Sequence, residues 1–167
     1  DADFDPILQK INKNNLTNQP EDRVKVIFVS VYLDGQDGIF NLNYWDLLIG
    51  LDMTVFPSYY EPWGYTPLES LAFYVPTITT SLSGFGRWIM KDENLVKNCI
   101  RVINRNDDNY SEVVDSIADV LLTCEKRNED EFESMRQNAH QLSRVALWKN
   151  FIENYYKAYD VALEKSK

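Results

Sequence analysis

Apolar residues fall in short clusters over the first two-thirds of the chain and at helical spacing beyond it. Val24-Lys25-Val26-Ile27-Phe28-Val29 is a β-branched, nearly continuous apolar run, the pattern of a strand buried on both faces. Met53-Thr54-Val55-Phe56, closed by Pro57, and Thr77-Ile78-Thr79-Thr80 predict two more strands, and residues 98–103 predict a last one. Helical signals lie around them. Asp5 is placed to cap a helix with Pro6 at its first position, running to Lys13 and followed by a polar connector rich in Asn. Residues 44–51 predict a short amphipathic helix capped by Asn43. Thr66-Pro67-Leu68-Glu69 opens another to about Tyr74, and Ser83-Gly84-Phe85-Gly86 leads into a third. From Asn109 onward the period is helical, over about 110–125, 129–146 and 148–164.

Strands alternating with helices predict an α/β fold: a Rossmann-like parallel sheet flanked by helices, with a helical C-terminal segment. A single domain over 1–167 is expected, its C-terminal helices at about 110–165. A nucleotide-binding α/β unit opens with a strand, whereas this chain opens with a helix, so a first strand is expected upstream of Asp1. The start Asp1-Ala2-Asp3 has no initiator methionine, which suits an excised or processed piece.

The chain has 167 residues, 44% of them hydrophobic and 13% aromatic, which suits a globular domain with a sizeable core. Its formal charge of −9 argues against general nucleic-acid binding, which needs clustered Lys and Arg. A small anion is still admissible, because a local nest of backbone N–H groups can outweigh a distant field. No apolar run is long enough to span a bilayer and no signal peptide is visible. Cys99 and Cys124 have no CxxC or Cys/His spacing and read as ordinary reduced cysteines of a cytoplasmic protein.

The chemistry concentrates in residues 56–69, a strand end, an aromatic loop and a helix start. Thr66, Pro67 and Glu69 fit a capping box, in which Thr66 caps and Glu69 reaches back. Glu69 is then a stability device unless a ligand sits at the helix end. Glu61 has no such structural role; it precedes Pro62 at the carboxyl end of a strand, where open α/β sheets bind ligands. It is either a solvated loop residue or a carboxylate for adjacent sugar hydroxyls. Gly64 permits close approach of backbone to ligand. Tyr59, Tyr60, Trp63 and Tyr65 suit core and rim packing, and equally a sugar or base pocket. Ser83-Gly84-Phe85-Gly86, with Arg87 after it, is a second glycine-bearing strand-to-helix turn. The single histidine, His140, reads as a solvent-facing helix residue, and there is no catalytic triad or metal-ligand spacing.

Glu61 and Glu69, within E-P-W-G-Y-T-P-L-E, resemble the two-glutamate motif of retaining glycosyltransferases of the GT-B fold. The flanks Pro57-Ser58-Tyr59-Tyr60, Thr79-Thr80 and Ser83-Gly84-Phe85-Gly86 narrow the resemblance to eukaryotic-type glycogen synthases. It is specific from Val55 to Gly86 and looser from Val24 to Phe56 and around Trp148-Lys149. The resemblance implies the C-terminal, donor-binding half of a GT-B fold that transfers glucose from UDP-glucose to the non-reducing end of an α-1,4-glucan, with retention and no obligatory metal or cofactor. By position, Glu61 would hold the glucose hydroxyls with backbone N–H groups of Trp63 and Gly64. Tyr65 and Thr66 would give N–H groups to the diphosphate, and Glu69 would bind the ribose. Tyr32 would lie near the uracil, although Val29-Ser30 stands where many members carry His-Pro.

The family's phosphate-binding Arg and Lys, and its acceptor-side domain, would precede Asp1. The 167-residue piece alone is therefore expected to be catalytically dead, with the glucan acceptor reached through the missing domain and oligomerisation left open. Sugar-phosphate-activated members carry an arginine cluster where this chain has Glu129-Asp130-Glu131-Phe132-Glu133-Ser134-Met135, so activation by glucose 6-phosphate is not expected. The alternatives are an ADP-glucose-dependent starch-type synthase, another nucleotide-sugar transferase, and a non-catalytic sugar-binding module.

Overall fold

The computed structural model describes residues 4–93, 95 and 98–165. The chain divides into two compact units, 1–44 and 45–167.

In the first unit, α1 (Pro6–Lys13) starts as its sequence dictates: the Asp5 carboxylate accepts from the N–H groups of Ile7 and Leu8 at 2.8 and 3.1 Å. The run 24–29, expected to be a strand buried on both faces, is not a strand. A strand needs a neighbour for its ladder, and no described residue of this unit supplies one. The Asn18 side chain stands in for one at a single point. Its amide oxygen accepts from Val26 N–H at 2.8 Å and its amide nitrogen donates to Val26 carbonyl at 2.7 Å. Val24 and Ile27 are exposed, and Val26, Phe28 and Val29 are half-buried.

The second unit carries the α/β architecture. β1 (Thr54–Val55), β2 (Thr77–Thr80) and β3 (Ile100–Ile103) form a parallel sheet in that order, Thr54 opposite Thr77 and Thr77 opposite Ile100. β2 is central and wholly buried. Helix α2 (Tyr44–Leu48) is shorter than the 44–51 pattern suggests, and β1 is shorter than 53–56. The connections are helical: α3 (Tyr65–Ala72) follows β1 and α4 (Gly84–Met90) follows β2. After β3 come α5 (Tyr110–Glu125), α6 (Glu129–Val145) and α7 (Trp148–Lys165).

Alternation along the strands sorts the core onto two faces. On one, Ile100 and Val102 meet Leu71 of α3, Phe85 and Ile89 of α4, and Ala139 and Leu142 of α6. On the other, Ile78 and Ile103 meet Val113, Ile117 and Val120 of α5. Each fully buried aliphatic or aromatic side chain here contributes on the order of 1.5–3 kcal/mol. The buried hydroxyls close on one another: Thr54 Oγ1 lies 2.9 Å from both Ser70 Oγ and Thr77 Oγ1, tying β1, β2 and α3.

His140 is not solvent-facing. Its ring is half-buried and lies flat on Tyr74, centroids 4.2 Å apart, with Nδ1 3.1 Å from the Ala72 carbonyl. It therefore pins α6 to the end of α3. Cys99 is buried, Cys124 is half-buried, and neither is in a disulfide. No helix among the described residues is long and apolar enough to cross a membrane.

Helix α4 sits close on the sheet because Gly86 has no side chain. A Cβ there would run into the Thr80 carbonyl oxygen and lie 3.1 Å from a Val102 methyl. Gly86→Ala is expected to destabilise the chain by about 1–3 kcal/mol through overpacking against backbone, read as a lowered denaturant midpoint in equilibrium unfolding.

Candidate functional site

Two loops leave the carboxyl ends of β1 and β2 and bond to each other where they enter the helices. Glu61 N–H donates to the Leu82 carbonyl at 3.2 Å, and Gly84 N–H donates to the Glu61 carbonyl at 3.0 Å. This is a one-residue parallel bridge between Glu61 and Ser83. The Trp63 carbonyl then accepts from Phe85 N–H at 2.5 Å and from Ser83 Oγ at 2.9 Å. Ser83, fully buried, also caps α4 by accepting from Gly86 N–H. Gly84 is required at this crossing, since a Cβ would strike the Pro62 carbonyl. The second glycine-bearing turn is thus the floor against which the first is set.

Gly64 turns the first loop into α3 with φ of +105°, a left-handed conformation that favours glycine. This turn overrides the expected capping box. The helix begins at Tyr65 rather than Pro67, Thr66 lies inside the first turn, and neither Thr66 nor Glu69 caps. No side chain caps α3, so the N–H groups of Tyr65 and Thr66 have no acceptor among the described residues. Pro67, also in the first turn, has no N–H to leave unmet. The result is an uncapped helix start whose dipole favours negative charge.

The Glu61 carboxylate stands at that helix start. Its Oε2 lies 3.2 Å from the point a Gly64 Cβ would occupy, and accepts from Ser58 Oγ at 3.2 Å. It is half-buried, neither sunk in the core nor free on the surface. Glu69 lies one turn further along α3, four residues after Tyr65 and three after Thr66, and therefore on the same face. Half-buried and with no hydrogen-bond donor among the described residues, Glu69 has its pKa raised above the ordinary carboxylate value by desolvation.

The aromatic residues of the loop divide. The Trp63 ring is packing: its centroid lies 5.7 Å from Phe85, 5.9 Å from Trp88 and 5.7 Å from Phe151. Tyr65 and Tyr60 are exposed. Beside the start of α3, a cleft of about 500 Å³ opens between Tyr65, Leu68, Trp88, Trp148 and Tyr155. An opening of about 610 Å³ at the other end of the strands is lined by Thr77, Ile100, Arg101 and the two cysteines. It lies at the amino ends, opposite to where open parallel sheets bind ligands. Tyr32 belongs to the first compact unit and is 93% exposed.

Sequence reasoning named Ser58 only within a flanking motif, without a role, and passed over Arg105. Arg105, just past β3, is 6% exposed and donates from Nη1 to the Pro57 carbonyl at 2.5 Å. Its signal was positional: it lies at the same carboxyl edge of the sheet as the other two loops. Among the described residues no group of His, Cys, Asp and Glu is placed to hold a metal ion.

A family model for glycogen synthase matches residues 1–167. The chain is 37% identical to glycogen (starch) synthase isoform 2 of Saccharomyces cerevisiae over 164 residues, 96% of this chain and 23% of that protein. It is 34% identical over 166 residues to the glycogen (starch) synthase of Neurospora crassa, covering 97% of this chain and 23% of that protein. For the Caenorhabditis elegans protein of the same name the identity is 35% over 162 residues, 96% and 24%. The chain thus spans 23–24% of the length of these curated relatives.

The raised Glu69 pKa has a stability consequence. The folded chain holds this proton more readily than the unfolded chain. The contribution is therefore fully present below the unfolded pKa and lost as pH rises through the folded one. Glu69→Gln removes an ionised, partly desolvated carboxylate, so its melting temperature is expected above the parent's at neutral pH. The gap should close as pH falls toward about 4, in thermal melts across that range.

Proposed function

Because the chain belongs to the glycogen synthase family, we propose that it is the donor-binding part of a retaining glucosyltransferase that moves glucose from UDP-glucose onto the non-reducing end of an α-1,4-glucan. The observation that carries the proposal is the Glu61 carboxylate held beside Gly64 at an uncapped helix start.

Each part of the donor has a matching group. The N–H groups of Tyr65 and Thr66 and the positive end of the α3 dipole suit a diphosphate. Glu61 suits the glucose hydroxyls, with N–H groups of Trp63 and Gly64 beside it. Glu69, on the same face of α3, suits the ribose hydroxyls. As the sugar–diphosphate bond breaks, the helix start stabilises the leaving charge, without a metal being obligatory. The acceptor hydroxyl bonds to the same face of the sugar, which has oxocarbenium character, and the hydroxyl proton passes to the departing diphosphate oxygen on that face. Glu61 positions and stabilises that sugar and is not a covalent nucleophile. The acceptor glucan, the cytoplasmic setting and the choice of UDP- over ADP-glucose belong to the same proposal.

The full-length protein, assayed with glycogen and either UDP-glucose or ADP-glucose, is expected to transfer glucose from UDP-glucose. Glu61→Gln should lower kcat on the order of a hundredfold. The isolated 167 residues should transfer none. Glucan binding without transfer from either donor, undisturbed by Glu61→Gln, would identify a sugar-binding module instead.

Glucose 6-phosphate is not expected to activate the enzyme. The first turn of α6 carries Glu129, Asp130 and Glu131, and the Arg136 guanidinium is already committed to the Leu51 carbonyl at 3.2 Å and to Asp52 at 3.4 Å. Initial rates of the full-length enzyme with and without glucose 6-phosphate test this, and a large increase would overturn it.

A further inference from the structure

Arg105 is a buried arginine without a carboxylate partner, since the one ion pair among the described residues is Arg136–Asp52. Its Nε is buried and makes no hydrogen bond. Burying a charge without a counter-charge is costly, so its remaining contacts are where a reason for it is found.

The contacts of its guanidinium fall on the loop that carries Glu61. Nη1 donates to the Pro57 carbonyl at 2.5 Å, and the guanidinium carbon lies 3.5 Å from the centre of the Tyr59 ring. Arg105 is itself anchored, because its N–H donates to Ser81 Oγ at 3.0 Å at the end of β2. Between the two gripped residues, the Ser58 carbonyl accepts from Thr80 Oγ1 at 2.7 Å. Ser58 Oγ in turn donates to Glu61 Oε2. Three consecutive residues are thus pinned to the ends of β2 and β3, and the middle one orients the carboxylate.

We infer that Arg105 is a positioning residue, which fixes residues 57–59 and through Ser58 aims Glu61 at the donor. The inference rests on the donor-binding reading for its kinetic consequence, but not for its mechanical one. A planar guanidinium is needed to donate along one edge while stacking on a ring. Lysine offers the charge and a donor but not the flat face.

The test uses the full-length protein with Arg105→Lys and, separately, Tyr59→Leu. Both are expected to lower kcat/KM for UDP-glucose by roughly tenfold while leaving KM for glycogen unchanged. In a Glu61→Gln background, Arg105→Lys should cost almost nothing further, because the residue acts through that carboxylate. Hydrogen exchange supplies a readout independent of activity. In Arg105→Lys the amides of Ser58 and Glu61, bonded to the Phe56 and Leu82 carbonyls, should lose protection while those of β2 keep it.

Losses that multiply in the double variant, an equal fall in the glycogen parameters, or unchanged loop protection would each overturn the inference. If wild type transfers no glucose from UDP-glucose, the donor reading fails. The exchange result then decides alone whether Arg105 holds the loop.

Discussion

The site depends on a mutual grip between the two loops that leave β1 and β2. Each loop alone would be a flexible strand-to-helix connection with several backbone groups to satisfy. Bonded across Glu61, Ser83, Trp63 and Phe85, they satisfy each other and place the starts of α3 and α4 side by side. The grip leaves no room for side chains at Gly64 and Gly84, so the two glycines are steric requirements set by the opposite loop. Glu61 gains its position from this frame, since its backbone is a member of the bridge.

Beneath the grip, the sheet supplies rigidity without supplying chemistry. β2 is buried along its whole length, and its Thr80 and the adjacent Ser81 reach the loop and Arg105 directly. The packing on both faces therefore fixes the carboxyl edge to which Glu61, the start of α3 and Arg105 are attached. The working tips of the site are the helix-start N–H groups, two half-buried carboxylates and exposed tyrosine rings. That division suits a scaffold holding a small number of polar groups at a pocket edge.

What could be read from sequence was what local chemistry decides. Asp5-Pro6 caps α1 as expected because both residues act within one turn of themselves. The turn at 83–86 into a helix and the alternation of strands and helices were legible for the same reason. Most of the misreadings arose where a distant partner decides. The run 24–29 has strand composition, but composition does not provide a neighbouring strand. The Thr66 capping box is good local chemistry that lost to the left-handed turn at Gly64, which started the helix earlier. His140 looked exposed because its partner, Tyr74, is remote in sequence. Arg105 was invisible for the same reason: nothing near it in the chain announces a carbonyl and a ring from the first loop.

The arrangement of charge has one more implication. The single ion pair found among the described residues joins Arg136 to an Asp52 side chain that is 86% exposed, so counter-ions have little of value to screen away. Against it stands a formal charge of −9 spread over the chain, which repels itself. Ionic strength thus acts mainly on that repulsion, and electrolyte favours the compact form of this chain instead of loosening it.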